Sequence, residues 1–145
     1  MSRSTPHLGH VHLKVRDVER AVAFYTDVFD LEVNDRYGPL AFLTFGDHYH
    51  DVALQEVGSD AAGPERGVGL YHAAFEVESR DALSRIYETL DERGVRVDSI
   101  DHGISEALYF DDPDGNGLEA YRDTRAENDR TEWQGMNEPF DPTVL

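Results

Sequence analysis

The chain repeats itself, and this internal repeat restricts its possible folds more than any other feature. Residues 10–15 read HVHLKV and residues 72–77 read HAAFEV, and each run is followed by a helical stretch and further strand-like runs. The offset is 62 residues between His10 and His72 and 63 residues between Glu56 and Glu119. A half of this size cannot bury its apolar face alone, so the two halves are expected to lie side by side.

Local signals predict the same order of elements in both halves. The first run of each half alternates apolar and polar residues, which is the period of a half-buried strand. Asp17 and Ser79 are suitable N-caps, and apolar stripes then predict helices reaching about Phe29 and Arg93. The run DPDGNG at 112–117 is a turn signal that joins two late strands as a hairpin.

These elements predict a single α+β domain over residues 1–145. Module 1 covers about 7–57, a Gly- and Pro-containing linker covers 58–68, module 2 covers about 69–123, and a polar tail covers 124–145. Each module is expected to be βαβββ. Together they are expected to form one curved, barrel-like mixed sheet with the helices outside.

Composition excludes several classes of function. The chain has 30 acidic side chains against 13 basic ones and a net charge of -17, which disfavours nucleic acids and anionic membrane surfaces as partners. It has no cysteine, so thiol nucleophiles, thiolate metal sites and disulfides are excluded. Residues Met1–Pro6 lack an apolar signal core and no run reaches membrane length, so a cytoplasmic chain is expected.

The acidic excess has two interpretations. One is a surface adapted for solubility. The other is adaptation to molar salt, where the screening length falls to about 3 Å and carboxylates repel one another weakly. Lys14 is the only lysine among the 13 basic residues, which favours the second interpretation and predicts a halophilic, high-salt cytoplasm.

Strand parity selects the candidate metal ligands. His10, His72 and Glu119 each alternate with the apolar residues of their strands, so all three are expected on the sheet face away from the helices. A single strand histidine is more often a hydrogen-bonded surface residue, but the matched positions in the repeat favour a metal role. Two imidazoles and one carboxylate suit a divalent ion, and this set is associated with non-haem Fe(II) chemistry. Glu56 and His12 are left open as further contributors.

Three more polar residues share that predicted face, namely His50, His102 and Tyr109. They can be read as loop histidines and a cross-strand aromatic residue. Beside an open metal site, however, they would supply acid–base catalysis and stabilise developing charge.

Five strings resemble the vicinal oxygen chelate superfamily, which contains glyoxalases, bleomycin resistance proteins and extradiol dioxygenases. They are GHVHLKVRDVERAVAFYTDVF, HDVAL, GLYHAAFEV, DHGISEALYF and DPDGNGLEAY, and the resemblance covers about residues 8–122. The first and last strings are widespread in the superfamily. HDVAL and HGISEALYF make the chain most similar to the type I extradiol, or catechol 2,3-, dioxygenases.

This resemblance implies a role for each candidate residue. The implied metal ligands are His10, His72 and Glu119, with Fe(II) as the metal, or else Mn(II) or another divalent ion. The implied acid–base residue is His50, and His102 and Tyr109 are implied to line the substrate side.

The resemblance implies a ring-cleaving dioxygenase that inserts both atoms of O2 into a small aromatic diol. It also implies a possible homodimer or higher homo-oligomer. A glyoxalase I-like isomerase, a metal-dependent resistance transferase and a non-catalytic small-molecule-binding module on the same fold remain alternatives. A cupin is disfavoured because Arg16 and Asp17 stand where a cupin glutamate would follow His10-x-His12. Well-known dioxygenases of the family carry a second pair of modules.

Overall fold

The structure is a computed structural model that describes residues 5–145 and divides into two compact units, Met1–Ala62 and Gly63–Leu145. The expectation drawn from Met1–Pro6 therefore falls largely outside the described residues. That the two units make up one domain stays a prediction.

The first unit is a βαβββ module with a four-stranded sheet. Its elements are β1 (Val11–Val15), α1 (Val18–Phe29), β2 (Glu32–Tyr37), β3 (Leu40–Thr44) and β4 (Val52–Glu56). The strand order is β1-β4-β3-β2, in which β1 and β4 are parallel and the other neighbours are antiparallel.

The second unit repeats this arrangement and extends it. Its elements are β5 (Ala73–Val77), α2 (Arg80–Glu92), β6 (Asp98–Asp101), β7 (Ser105–Asp111), β8 (Gly117–Asp123), β9 (Glu138–Pro139) and a 3₁₀ turn (Pro142–Val144). The strand order is β5-β8-β7-β6-β9, and β5 and β8 form the parallel pair.

The predicted α+β class and the two βαβββ modules are confirmed. In place of one continuous, barrel-like sheet, the described strands form two mixed sheets of four and five strands. The reason is that β1 pairs with β4, and β5 with β8, so every strand finds its partners inside its own unit.

Both predicted helix starts are confirmed. The Asp17 side chain accepts a hydrogen bond from the Arg20 amide, and Ser79 Oγ accepts one from the Ala82 amide, each at 3.1 Å. These bonds satisfy amides that lack partners within the first helical turn. Gly94 follows α2 with φ +70, a left-handed conformation that suits glycine.

Each sheet buries the face that carries its apolar residues. The largest fully buried side chains on the strands are Val15, Leu43, Val52, Leu54, Leu108 and Leu118. They are joined in burial by helix residues of the same units, including Tyr25, Phe24, Leu83 and Leu90. Because side chains alternate along a strand, the polar residues between them occupy the opposite face, which is left for a site.

The acidic residues coat the surface, as the sequence predicts. Among residues 5–145, Asp112 and Asp114 are the buried acidic side chains. Neither described helix combines the length and apolar character that crossing a bilayer requires.

The tail adds a short strand that its polar sequence does not reveal. In β9, Glu138 and Pro139 pair with Asp101 and Ile100 of β6. Ser99 Oγ also donates a hydrogen bond to the Phe140 carbonyl at 2.8 Å. This edge of the five-stranded sheet is therefore covered by the tail.

Buried Asp112 organises the predicted hairpin turn between β7 and β8. Its Oδ1 accepts hydrogen bonds from the amides of Asp114 and Asn116, and its Oδ2 accepts one from Asn116 Nδ2, all at 2.9 Å. With only 4% of its surface exposed, Asp112 shields these bonds from water.

Replacing Asp112 with alanine should therefore loosen the hairpin. We expect Asp112→Ala to lower the free energy of unfolding by about 2 kcal/mol, because buried amides lose their acceptor. The matched control Asp60→Ala removes an exposed turn carboxylate and should change stability by less than about 0.5 kcal/mol. Equal losses in a urea titration of both variants would contradict the assigned role.

Candidate metal centre

Glu119 stands at the middle of the second sheet on the face away from the helix. Its neighbours Leu118 and Ala120 are buried on the other face. Across the sheet, Glu119 lies opposite Tyr109 on β7 and Ala74 on β5. The strand register therefore surrounds this carboxylate with side chains from both adjacent strands.

His72 directly precedes β5 and meets Glu119. Because His72 is two residues before Ala74, it belongs to the same face of the sheet. Its Nε2 lies 3.0 Å from Glu119 Oε1, and the side chains keep 28% and 12% of their surfaces exposed. Two of the three predicted ligands are therefore brought together, still accessible from solvent.

Gly117 makes this close approach possible. A Cβ at position 117 would collide with the Tyr71 carbonyl and lie 3.5 Å from the His72 Cβ. Any larger residue here would push the Tyr71–His72 backbone away from β8. The sequence marks Gly117 only as part of a turn, because its packing against Tyr71 depends on the strand register.

Tyr109 and His102 form the adjoining polar pair. The Tyr109 hydroxyl lies 2.7 Å from His102 Nε2, and its ring centroid is 5.7 Å from that of His72. Burial, followed by the negative charge of Glu119, raises the pKa of Tyr109 to about 12. Its hydroxyl therefore keeps its proton near neutral pH.

An open cavity of about 940 Å³ lies in the second unit beside these residues. Its lining includes His72, Tyr109, Arg96, Asp98 and Pro139. Its volume is in the range of small-molecule sites, so an organic ligand has room next to His72 and Tyr109.

In the first unit, His10 and His50 lie together. Their ring centroids are 4.2 Å apart, and the Phe42 ring lies 5.2 Å from that of His50. His50 Nδ1 is buried and has no hydrogen-bond partner among the described residues. Burial, and then the electrostatic influence of the neighbouring His10, lowers the pKa of His50, which favours its neutral imidazole.

Glu56 proves not to be the structural counterpart of Glu119. It pairs with buried Val15 on the helix side of the first sheet, and its Oε1 accepts a hydrogen bond from the Val18 amide at 3.0 Å. When His10 is matched to His72, the register places Ala53 where the second unit has Glu119. The offset of 63 residues between the glutamates differs by one from the offset of 62 between the histidines. That difference of one residue puts Glu56 on the opposite face of its strand.

His12 is also engaged locally. Its Nε2 lies 3.0 Å from Gln55 Oε1, on the sheet face opposite Glu56. Gln55 could not be recognised from the sequence, because an amide beside a histidine gives no metal-ligand pattern.

The predicted site residues thus fall into two groups. The second unit brings together His72, Glu119, Tyr109 and His102. The first unit brings together His10 and His50. Within residues 5–145, no group of three or more His, Asp or Glu side chains is arranged to hold a metal ion, so the complete triad stays a prediction.

The residues present are compatible with a divalent metal. An imidazole nitrogen and a carboxylate oxygen converge at His72 and Glu119, and both are ligands that iron and manganese accept. Both side chains lie on the sheet face away from the helix, whereas Glu56 is hydrogen-bonded to the Val18 amide at the start of α1.

Comparison with known proteins agrees with this arrangement. Residues 7–120 match the Glyoxalase/Bleomycin resistance protein/Dioxygenase superfamily. The chain belongs to this superfamily. A catechol-2,3-dioxygenase of Bacillus subtilis is 38% identical over 88% of the chain and 44% of its own length. The chain therefore spans less than half of that relative.

Two further relatives show the breadth of the superfamily. The glutathione transferase FosA of Serratia marcescens is 30% identical over 79% of both chains. The crystal structure of a glyoxylase/bleomycin resistance protein/dioxygenase domain from Frankia sp. EAN1pec is 26% identical, with a TM-score of 0.70 over 83% of this chain and 99% of that one. Membership of the superfamily therefore leaves several reactions open.

The close packing at Gly117 gives a direct test of how His72 is held. Gly117→Ala should lower the free energy of unfolding by about 1–3 kcal/mol, because the added methyl group forces the Tyr71 carbonyl to move. Gly67→Ala is the matched control, since a Cβ there meets nothing within 4 Å. The assignment is wrong if the two variants unfold at the same urea concentration.

Proposed function

We propose that the protein is a metal-dependent extradiol dioxygenase that opens the ring of a small aromatic diol with O2. The observation that carries the proposal is the cluster in the second unit, where the Tyr109–His102 pair adjoins His72 and Glu119. A ligand hydroxyl bound beside Glu119 would lie close to the Tyr109 hydroxyl, which His102 holds in place.

The proposed metal ligands are His10, His72 and Glu119, and Fe(II) or Mn(II) suits them. When bound, the metal would supply Lewis acidity and open positions for diol and O2. The proposed role of the chain in this step is to fix the donors. Glu119 is held by its strand neighbours, and His72 by the tight junction at Gly117.

Tyr109 and His102 would orient the diol. The protonated Tyr109 hydroxyl is fixed at 2.7 Å from His102 Nε2, so it offers a stationary hydrogen-bonding group to a diol oxygen. Such preorganisation lowers the cost of placing the reacting ring.

His50 would move protons. Its lowered pKa keeps the imidazole neutral, and its buried Nδ1 has no hydrogen-bond partner among the described residues. A neutral imidazole can take a proton from the diol or oxygen species and return it to the product.

The register argues against a glyoxalase I-like isomerase. The family resemblance implies that a glyoxalase I-like site would take a carboxylate from the first module, where Glu56 was left open as a contributor. Glu56 instead caps α1 through the Val18 amide, and Ala53 occupies the position equivalent to Glu119. The first unit therefore offers no carboxylate at the matching position.

A resistance transferase is the second candidate. Its support is the FosA relative, whose length the chain covers more fully than that of the dioxygenase. Incubation with glutathione and fosfomycin, followed by mass spectrometry for a glutathione adduct, separates this activity from ring cleavage.

Metal binding tests the proposed ligands first. His72→Ala should weaken Mn(II) binding by more than about 100-fold, because losing a ligand exceeds the 10–100-fold cost of losing an outer partner. The free Mn(II) signal in electron paramagnetic resonance measures the affinity. His48→Ala, which removes an exposed histidine outside the proposed site, is the control and should bind as the unchanged protein does. Unchanged affinity in His72→Ala would refute the ligand assignment.

Turnover tests the reaction. Protein loaded anaerobically with Fe(II) and mixed with catechol in air should consume O2 and form a yellow ring-cleavage product. His50→Ala should retain the metal while turnover falls by about 10²–10⁴-fold, the usual contribution of a positioned acid–base group. Absence of both O2 uptake and product, despite bound iron, would defeat the proposal.

A further inference from the structure

The C-terminal tail contacts His102 on the side away from Tyr109. His102 Nδ1 lies 2.7 Å from Asn137 Oδ1 and 3.3 Å from the Met136 carbonyl oxygen. Both ring nitrogens of His102 therefore have partners, one from the tail and one from β7.

These contacts determine where the imidazole proton sits. A main-chain carbonyl can only accept a hydrogen bond, so the Met136 oxygen requires a proton on His102 Nδ1. An amide oxygen at Asn137 makes the same demand. In the neutral imidazole, Nε2 then carries a lone pair and must accept the hydrogen bond from the Tyr109 hydroxyl.

The tail residues are themselves anchored on the sheet. Glu138 and Pro139 pair with β6 immediately after Asn137. Trp133 Nε1 donates a hydrogen bond to the Met136 carbonyl at 2.9 Å, which fixes the residue before Asn137. Asn137 is thus presented to His102 by a short strand and an aromatic side chain.

We propose that Asn137 is a positioning residue that holds His102 with its proton on Nδ1 and thereby makes the Tyr109 hydroxyl a donor to Nε2. The Tyr109 hydroxyl proton is then used in the hydrogen bond to His102. The lone pairs of the Tyr109 oxygen are left to accept hydrogen bonds from a bound diol. The consequence for diol binding rests on the proposed function, whereas the state of His102 is a property of the protein alone.

The Glu119 carboxylate competes with His102 Nε2 for the hydroxyl proton, since a hydrogen bond to Glu119 contributes to the raised pKa of Tyr109. Donation to Glu119 would, however, have a cost at His102. If Tyr109 donated to Glu119 instead, His102 Nε2 would carry the proton and donate to the hydroxyl. Nδ1 would then be an unprotonated acceptor facing the Met136 oxygen and the Asn137 amide oxygen. Two acceptors facing a lone pair leave the imidazole without a hydrogen bond on that side.

Long-range ¹H–¹⁵N NMR of the metal-free protein distinguishes the two arrangements. At a pH where His102 is neutral, its Nδ1 should resonate as a protonated nitrogen and its Nε2 as an unprotonated one, with the signal assigned by its loss in His102→Ala.

In Asn137→Leu both resonances should move toward each other, since one acceptor is lost. Asn137→Asp should retain the proton on Nδ1, because a carboxylate can only accept. Glu138→Leu, an exposed change at the next residue, is the control and should leave the spectrum unaltered.

Kinetics on the Fe(II)-loaded protein complete the test. Asn137→Leu should lower kcat/KM for catechol by about tenfold, the effect of one lost hydrogen bond, and Asn137→Asp should restore most of it. A protonated Nε2 in the unchanged protein, or an Asn137→Leu spectrum identical to that of the unchanged protein, would overturn the inference. If the NMR result holds but the unchanged protein cleaves no catechol, the positioning of His102 stands and the proposed reaction fails.

Discussion

The parallel pairing of β5 with β8 is the constraint on which the candidate site depends. Its register sets Ala74 beside Glu119 and brings His72 next to Gly117. Side chains alternate along a strand, so a shift of one residue would turn Glu119 toward the helix and Leu118 toward solvent. The buried Asp112 turn holds the β7–β8 hairpin in the same register and so keeps Tyr109 opposite Glu119.

The two units share a scaffold and differ in the chemistry that it carries. With His10 matched to His72, Ala53 replaces Glu119 and Phe42 replaces Tyr109. The first unit therefore places the Phe42 ring beside His50, and burial lowers the pKa of His50. The second unit supplies the carboxylate and the hydroxyl. Under the proposed function, the first unit would transfer protons through His50 and the second would hold the ligand.

Caps and strand parity could be predicted from local sequence, and parity placed His72 and Glu119 on one face, where the structure brings them together. Features that depend on how distant strands align could not be predicted. Asp17 and Ser79 were identified as N-caps because capping depends on residues three apart. The match of Glu56 to Glu119 was wrong because Glu56 faces the helix side of its sheet, whereas Glu119 faces the opposite side of its own. The role of Asn137 could not be predicted from the sequence. The strand that follows it has only two residues and no hydrophobic period, and Asn137 lies 35 positions from His102 in the chain.

The charge of the chain bears on which small molecule the site accepts. A net charge of -17 creates a negative field that concentrates divalent cations near the surface and opposes the entry of anions. Glu119 adds its own charge beside the Tyr109 hydroxyl, whose pKa it raises.

A neutral aromatic diol approaches without electrostatic cost, whereas a phosphonate such as fosfomycin must enter against this field. Since salt screens the field, added salt would reduce the disadvantage of the anion but leave binding of the neutral diol nearly unchanged. The acidic surface therefore supports the neutral diol of the proposed function over an anionic phosphonate.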